Sequence, residues 1–205
     1  TAAIATAFMT LLKAGDHIVA STSLYGGTYN MLSNTLPRFG INTTFVDPDD
    51  VDNFAKAVKS NTRAFFAESL GNPKLDVVDL EGISGHAKAA KVPFIVDNTI
   101  ATPALLNPIK YGANIVIHSL TKYCCGHGDA MGGAVLASDE NMRTIETDGQ
   151  IHVGGVISPF NAWLINRGLA TLPLRMKAHQ DNAMALAQFL EAHPRVTKVL
   201  YPQVE

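Results

Sequence analysis

The sequence predicts an α/β fold, with a mostly parallel β-sheet that carries helices on both faces. Two observations indicate this class. Short apolar segments alternate along the chain with segments of helical periodicity, which is the pattern of repeated strand–helix–strand units. Hydrophobic residues make up 47% of the 205 residues and charged residues 17%, a composition typical of a soluble protein with a large buried sheet.

Strands are predicted where a short apolar run is bounded by polar or turn residues, at 16–21, 42–47, 62–69, 93–97, 113–118 and 130–138. Helices are predicted where apolar residues recur at helical spacing, at 1–13, 29–39, 51–59, 80–90, from 158 to a break near 168, and at 171–193. In the first helix, Ile4 and Phe8 fall on one face. Asp49 or Asp50 is expected to cap the helix at 51–59, and Ser158, followed by a proline, is expected to cap another.

These elements predict three regions. Residues 1–157 form a large α/β domain, residues 158–193 form connecting helices, and residues 194–205 begin a smaller C-terminal domain with a strand at 195–201. The sequence lacks an initiator methionine and stops directly after that strand. We therefore expect a segment of a longer protein, truncated at both ends and inactive by itself.

Charge and cysteine content exclude some classes of function. The formal net charge of −2 gives no reason to expect a nucleic acid or an anionic membrane as partner. No apolar run approaches the roughly 18 residues that span a bilayer. The two cysteines, Cys124 and Cys125, are adjacent and cannot link distant segments, which favours a reducing, cytoplasmic location.

Polar and aromatic residues follow several predicted strands directly. In a parallel α/β sheet, ligands bind outside the carboxyl ends of the strands, so these residues are expected to converge on one site. The residues are Tyr25, Asn72, Asp97, Ser119, Thr121 and Lys122.

Lys122 is the most informative of these residues. A lysine at the mouth of a parallel sheet can hold an aldehyde cofactor as a Schiff base, while neighbouring hydroxyls bind its phosphate. Ser119 and Thr121 are two residues apart, so in an extended chain they point the same way. This arrangement predicts pyridoxal phosphate, although a surface lysine after a strand would give the same local pattern.

The other groups have matching roles and simpler alternatives. Asp97 can keep the pyridine nitrogen of the cofactor protonated, or can cap a helix. Tyr25 can stack on the ring and transfer a proton, or can sit in an ordinary turn. Asn72 can contact the ring, or can belong to a tight Gly-Asn-Pro turn. The helix that starts at Thr1 presents amides suited to phosphate.

Six groups of short motifs occur along the chain. They are Gly-Asp-His-Ile-Val at 15–19, Leu-Tyr-Gly-Gly-Thr at 24–28, Glu-Ser-Leu-Gly-Asn-Pro at 68–73, Val-Asp-Asn-Thr at 96–99, His-Ser-Leu-Thr-Lys-Tyr at 118–123 with Gly-His-Gly at 126–128, and Ser-Pro-Phe-Asn-Ala-Trp at 158–163. With these motifs in this order, the chain resembles the Cys/Met metabolism (transsulfuration) family of fold-type-I pyridoxal-phosphate enzymes over essentially all 205 residues.

The resemblance implies a sulfur amino-acid substrate and a homo-oligomer that is a dimer of dimers. Lys122 would then be the Schiff-base lysine and Asp97 its pyridinium partner. Asp129 and the short run at 133–158 resemble the methionine and cystathionine lyases, which eliminate the γ-substituent. Gly27, by contrast, stands where typical methionine γ-lyases carry a cysteine, and the stretches at 68–73 and 97–103 resemble the O-acetylhomoserine sulfhydrylases, which replace the γ-substituent. We expect elimination, with replacement as the alternative.

Three other classes of function are alternatives to a pyridoxal-phosphate enzyme. Neither glycine-rich nucleotide motif, Gly-x-Gly-x-x-Gly or Gly-x-x-x-x-Gly-Lys-Ser/Thr, occurs. A metal site built from Cys124, Cys125, His127 and Asp129 is disfavoured, because these residues crowd into one turn and suit tetrahedral coordination poorly. A non-catalytic binding protein stays open, and it would bind no pyridoxal phosphate.

Overall fold

The computed structural model describes residues 1–202, and its centre is a six-stranded sheet. The strands are β1 (His17–Ser21), β2 (Asn42–Val46), β3 (Thr62–Glu68), β4 (Phe94–Asp97), β5 (Ile115–Ser119) and β6 (Gly133–Ala137). Their order in the sheet is β2-β1-β3-β4-β5-β6. Strands β1 to β5 are parallel, and β6 runs antiparallel to β5 at one edge. The predicted α/β class and mostly parallel sheet are confirmed.

The α-helices are α1 (Ala2–Leu11), α2 (Gly26–Asn30), α3 (Asp52–Lys56), α4 (Leu80–Ala90), α5 (Thr102–Leu105), α6 (Asp139–Thr144), α7 (Pro159–Leu169) and α8 (Leu172–Glu191). α2 continues through a π-helical turn and a 3₁₀ turn to Phe39, so the helical segment predicted to begin at Tyr29 begins at Gly26. Between residues 1 and 202, every helix is too short or too polar to cross a membrane.

Both faces of the sheet are covered, and strand alternation separates two cores. Phe66 of β3 packs edge-on against Phe8 of α1, with 5.5 Å between ring centroids. Its neighbour Phe65 points to the opposite face and packs against Phe54 of α3, also at 5.5 Å. Helix α4 packs in the same core as Phe65, so α1 and α4 lie on opposite sides of the strands that carry the predicted site.

Helix α4 has a side-chain cap that allows a clean stability test. Asp79 is its N-cap residue, and the carboxylate accepts the Gly82 N–H at 3.0 Å. We expect Asp79→Ala to lower the free energy of unfolding by about 1 kcal/mol, the usual cost of losing such a cap. Urea denaturation of the intact protein measures this. Ser138→Ala is the matched control, because Ser138 is the N-cap residue of α6 but forms no side-chain hydrogen bond there. This substitution should lower the free energy of unfolding much less.

The strand predicted at 195–201 is wrong. Residues 195–200 have no regular structure, and residue 201 forms only an isolated bridge. A β-strand needs a neighbouring strand to pair with along its length, and the described six-stranded sheet does not include residues 195–201. The division into 1–157, 158–193 and 194–205 stays a prediction, and 203–205 lie outside the described residues.

Candidate active site

A cavity of about 1290 Å³ opens at the carboxyl ends of the parallel strands. Two of its lining residues are neighbours across the sheet, because Glu68 at the end of β3 is in register with Asp97 at the end of β4. The cavity is larger than the roughly 300–1,000 Å³ of most small-molecule sites. It therefore has room for a cofactor together with a substrate.

All seven residues predicted for the site line this one cavity. They are Thr1, Tyr25, Asn72, Asp97, Ser119, Thr121 and Lys122. The chain brings them from the start of α1, from the loops after β1 and β3, and from the ends of β4 and β5. Their chemical roles stay predictions.

Lys122 lies in the turn that follows β5, and its side chain is exposed. The backbone holds it at both sides: its N–H donates to the Ser119 carbonyl at 3.2 Å, and its carbonyl accepts the Gly126 N–H at 2.8 Å. The amine forms no hydrogen bond or ion pair with the part of the chain that the structure describes. Attachment of an aldehyde requires a lysine whose backbone is held in place and whose amine has no hydrogen-bond or ion-pair partner.

Asp97 is the last residue of β4 and is 9% exposed. Its Oδ1 accepts two hydrogen bonds from Thr99, one from the backbone N–H at 3.0 Å and one from the hydroxyl at 2.5 Å. Burial raises the pKa of the Asp97 carboxyl, while both Thr99 donors act in the opposite direction. A cationic ring nitrogen at the other oxygen would favour the charged form further.

The reason predicted for pairing Ser119 with Thr121 is wrong. β5 ends at Ser119, and Thr121 lies in the following turn rather than in extended chain. Its hydroxyl donates to the carbonyl of Gly132 at 3.2 Å and accepts the N–H of the same residue at 3.1 Å. The Ser119 hydroxyl has no hydrogen-bond partner within residues 1–202. Both hydroxyls still line the cavity, and Ser119 is the one free to bind a phosphate.

Tyr25 stands at the N-terminus of α2 with 52% of its surface exposed. The glycine at position 27 makes room for its ring, because a Cβ there would lie 2.5 Å from the ring carbon Cε1. A larger residue at this position would displace the ring. The absence of a side chain at Gly27 therefore helps to determine where the Tyr25 ring lies.

Two residues of the site were not predicted. Thr99 orients the Asp97 carboxyl, and Glu68 is buried at the cavity with 6% of its surface exposed. The Glu68 Oε1 accepts the backbone N–H of Tyr25 at 2.7 Å. Burial raises the pKa of Glu68 to about 8. A signal was present in the sequence, because Glu68 ends a strand in the same way that Asp97 does.

The two cysteines are packed side chains. Cys124 and Cys125 are buried and reduced, and the Cys125 thiol donates to Asp129 Oδ1 at 3.2 Å. Burial raises the pKa of the Cys124 thiol, which disfavours the reactive thiolate. In the described range 1–202, no group of three or more His, Cys, Asp or Glu side chains is arranged to hold a metal ion.

The groups that line the cavity fit pyridoxal phosphate. They comprise the amine of Lys122, the buried carboxyl of Asp97, the hydroxyl of Ser119 and the aromatic ring of Tyr25. Among the described residues, the amine, the hydroxyl and one carboxyl oxygen have no hydrogen-bond partner. The amine suits the aldehyde of the cofactor, the carboxyl suits its ring nitrogen and the hydroxyl suits its phosphate. Fold and cavity together define a class: an α/β protein with groups for this cofactor at the carboxyl edge of its sheet.

The chain belongs to the family of Cys/Met metabolism PLP-dependent enzymes, whose model matches residues 1–205. The predicted resemblance and the predicted cofactor are confirmed by this match. The chain is 42% identical to the O-acetyl-L-homoserine sulfhydrylase of Leptospira meyeri, over 96% of this chain and 53% of that protein. It is 43% identical to an L-methionine gamma-lyase of Fusobacterium nucleatum subsp. polymorphum, over 99% of this chain and 52% of that protein.

A solved structure from Campylobacter jejuni superposes with a TM-score of 0.94 at 35% identity, covering 99% of this chain and 58% of that one. That structure contains an N'-pyridoxyl-lysine-5'-monophosphate residue. The chain spans about half the length of the curated relatives it matches. Those relatives catalyse different reactions, so membership of the family leaves the reaction open.

Proposed function

We propose that this chain forms the cofactor-binding part of an enzyme that eliminates the γ-substituent of a sulfur amino acid. L-Methionine is the preferred candidate, with cystathionine or homocysteine as close alternatives. Methionine and water would yield 2-oxobutanoate, ammonia and methanethiol. The observation that supports this proposal is the convergence of Lys122, Asp97 and Tyr25 on one cavity.

When bound, pyridoxal phosphate supplies an aldehyde that joins to amines and a ring that accepts electrons from the adjacent carbon. The Lys122 amine would anchor the cofactor until the substrate amine replaces it, and would then remove the α-proton of the substrate. Asp97 would hold the proton on the ring nitrogen. The Tyr25 phenol would donate a proton to the departing thiolate sulfur.

The second candidate is γ-replacement, in which sulfide or a thiol takes the place of the leaving group. The glycine at position 27 favours it, because typical methionine γ-lyases carry a cysteine there, whose Cβ would lie 2.5 Å from the Tyr25 ring carbon Cε1 in its present position. The residues required are the same as for elimination. The two candidate reactions differ in their last step: in elimination water releases 2-oxobutanoate and ammonia, and in replacement sulfide or a thiol adds at the γ-carbon.

Product analysis of the intact protein separates these reactions. We expect release of methanethiol and 2-oxobutanoate from L-methionine to be faster than formation of homocysteine from O-acetylhomoserine and sulfide. The reverse order would favour γ-replacement. If neither product forms and incubation with pyridoxal phosphate gives no new absorbance band, the chain is a non-catalytic binding protein.

We also propose a cytoplasmic homo-oligomer. Large apolar side chains on α7 support association, because Phe160 is 65% exposed and Trp163 is 54% exposed. Light scattering coupled to gel filtration measures the mass of the intact protein. A monomeric mass would contradict the proposed assembly and leave the cofactor chemistry untouched.

A further inference from the structure

Two buried carboxyl groups end neighbouring strands of the sheet. Glu68 and Asp97 are register partners, and both side chains point to the α1 side. The residues two positions earlier, Phe66 and Ile95, pack in the core against α1, which fixes this direction. Neither carboxyl forms an ion pair with a cation in the part of the chain that the structure describes. Two carboxylates at one buried edge repel each other, so one of them is expected to keep its proton.

Hydrogen bonding decides which carboxyl is ionised. Asp97 accepts two hydrogen bonds from Thr99, whereas Glu68 accepts one, from the backbone of Tyr25. Burial raises the pKa of both carboxyls, but donors stabilise the charged form, so the two Thr99 donors favour the negative charge on Asp97 and the proton on Glu68. Burial is the main cause that raises the pKa of Glu68 to about 8, and the charges of Asp97 and Asp76 add to it.

We propose that Glu68 is a positioning residue, a neutral carboxylic acid that holds the backbone of Tyr25 at the cavity and leaves the negative charge to Asp97. Its carbonyl oxygen accepts the Tyr25 N–H, and α2 begins directly after this contact. The other titratable side chains that line the cavity are Tyr25, Asp97, His118, Lys122, Tyr123 and His179. Asp76 lies outside this lining, but its charge also acts on Glu68. The purpose of this arrangement depends on the proposed function, but the protonation state of Glu68 can be measured without the cofactor.

The first measurement is the thermal stability of the cofactor-free intact protein against pH. The ordinary pKa of 4.5 describes the unfolded state and a pKa of about 8 the folded state. Between these values the folded protein keeps a proton that the unfolded chain releases, so this contribution to stability is lost as pH rises. Glu68→Gln cannot ionise. Its Tm should therefore rise relative to wild type as pH increases from 4.5 towards 8, and then stay constant.

Glu191→Gln is the matched control, since Glu191 is exposed at the end of α8. Its Tm difference from wild type should not widen over the same range. Parallel curves for wild type and Glu68→Gln would overturn the neutral state of Glu68. A widening difference for Glu191→Gln as large as that for Glu68→Gln would overturn it as well.

The second measurement is the dissociation constant of pyridoxal phosphate near neutral pH, read from cofactor absorbance on rebinding. Glu68→Gln keeps an acceptor oxygen and should bind within about twofold of wild type. Glu68→Ala leaves the Tyr25 N–H unpaired and should bind about tenfold more weakly. Equal losses in both variants would contradict the positioning role. Failure of the proposed function would look different: Lys122→Ala would retain the cofactor, while the pH dependence of the cofactor-free protein would be unchanged.

Discussion

Lys122→Ala should abolish retention of pyridoxal phosphate during gel filtration and remove the absorbance band of the bound cofactor. The variant loses the amine that anchors the aldehyde and also the base that removes the α-proton of the substrate. Loss of a positioned acid–base group alone lowers rates by about 10²- to 10⁴-fold, so we expect a decrease at the upper end of that range. Absorbance spectra and product formation in the intact protein measure both effects.

Lys110→Ala provides the matched control for this experiment. Lys110 is exposed in the 3₁₀ turn before β5 and does not line the cavity. It should bind cofactor and turn over substrate like wild type. Unchanged cofactor retention and activity in Lys122→Ala would mean that Lys122 is only a surface lysine after a strand.

Asp97→Asn should weaken cofactor binding and lower activity by about 10²- to 10³-fold, the usual cost of removing one preorganised electrostatic group. Asparagine has the shape of aspartate and can still accept from Thr99, but it cannot hold a charge beside a protonated ring nitrogen. The substitution also tests the simpler alternative. Asparagine caps helices about as well as aspartate, so a mere capping role predicts little change.

Asp181→Asn is the control for the loss of a carboxylate. Asp181 forms an exposed ion pair with Lys177 at 2.8 Å on α8, and surface pairs contribute only about 0–1 kcal/mol. Its cofactor affinity and activity should match wild type. Activity of Asp97→Asn within a few-fold of wild type would remove Asp97 from the proposed chemistry.

The sheet could be predicted from the sequence because buried parallel strands consist of short apolar runs. Helix α4 could be predicted because its apolar residues recur at helical spacing, and its bounds match the prediction. The segment at 195–201 is also apolar, but a strand depends on a partner that local sequence does not specify. α5 and α6 were missed, since they are short and bury little apolar surface at helical spacing.

The site could be predicted because one geometric rule collects it: ligands bind where parallel strands end. That rule brought Tyr25, Asp97 and Lys122 together from distant parts of the sequence. It could not give the conformation of Thr121, which depends on hydrogen bonds to Gly132 across a turn. The rule applies equally to Glu68, which ends β3, but the proposed neutral state of its carboxyl depends on register pairing with Asp97, which the local sequence does not show.

Peptide mapping after borohydride reduction tests the central claim most directly. Borohydride makes the bond between a lysine and bound pyridoxal phosphate permanent, and mass spectrometry then locates it. The claim that the amine of Lys122 holds the cofactor predicts a phosphopyridoxyl group on the peptide that contains Lys122. A label on a different lysine, or no label in protein that binds the cofactor, would contradict it.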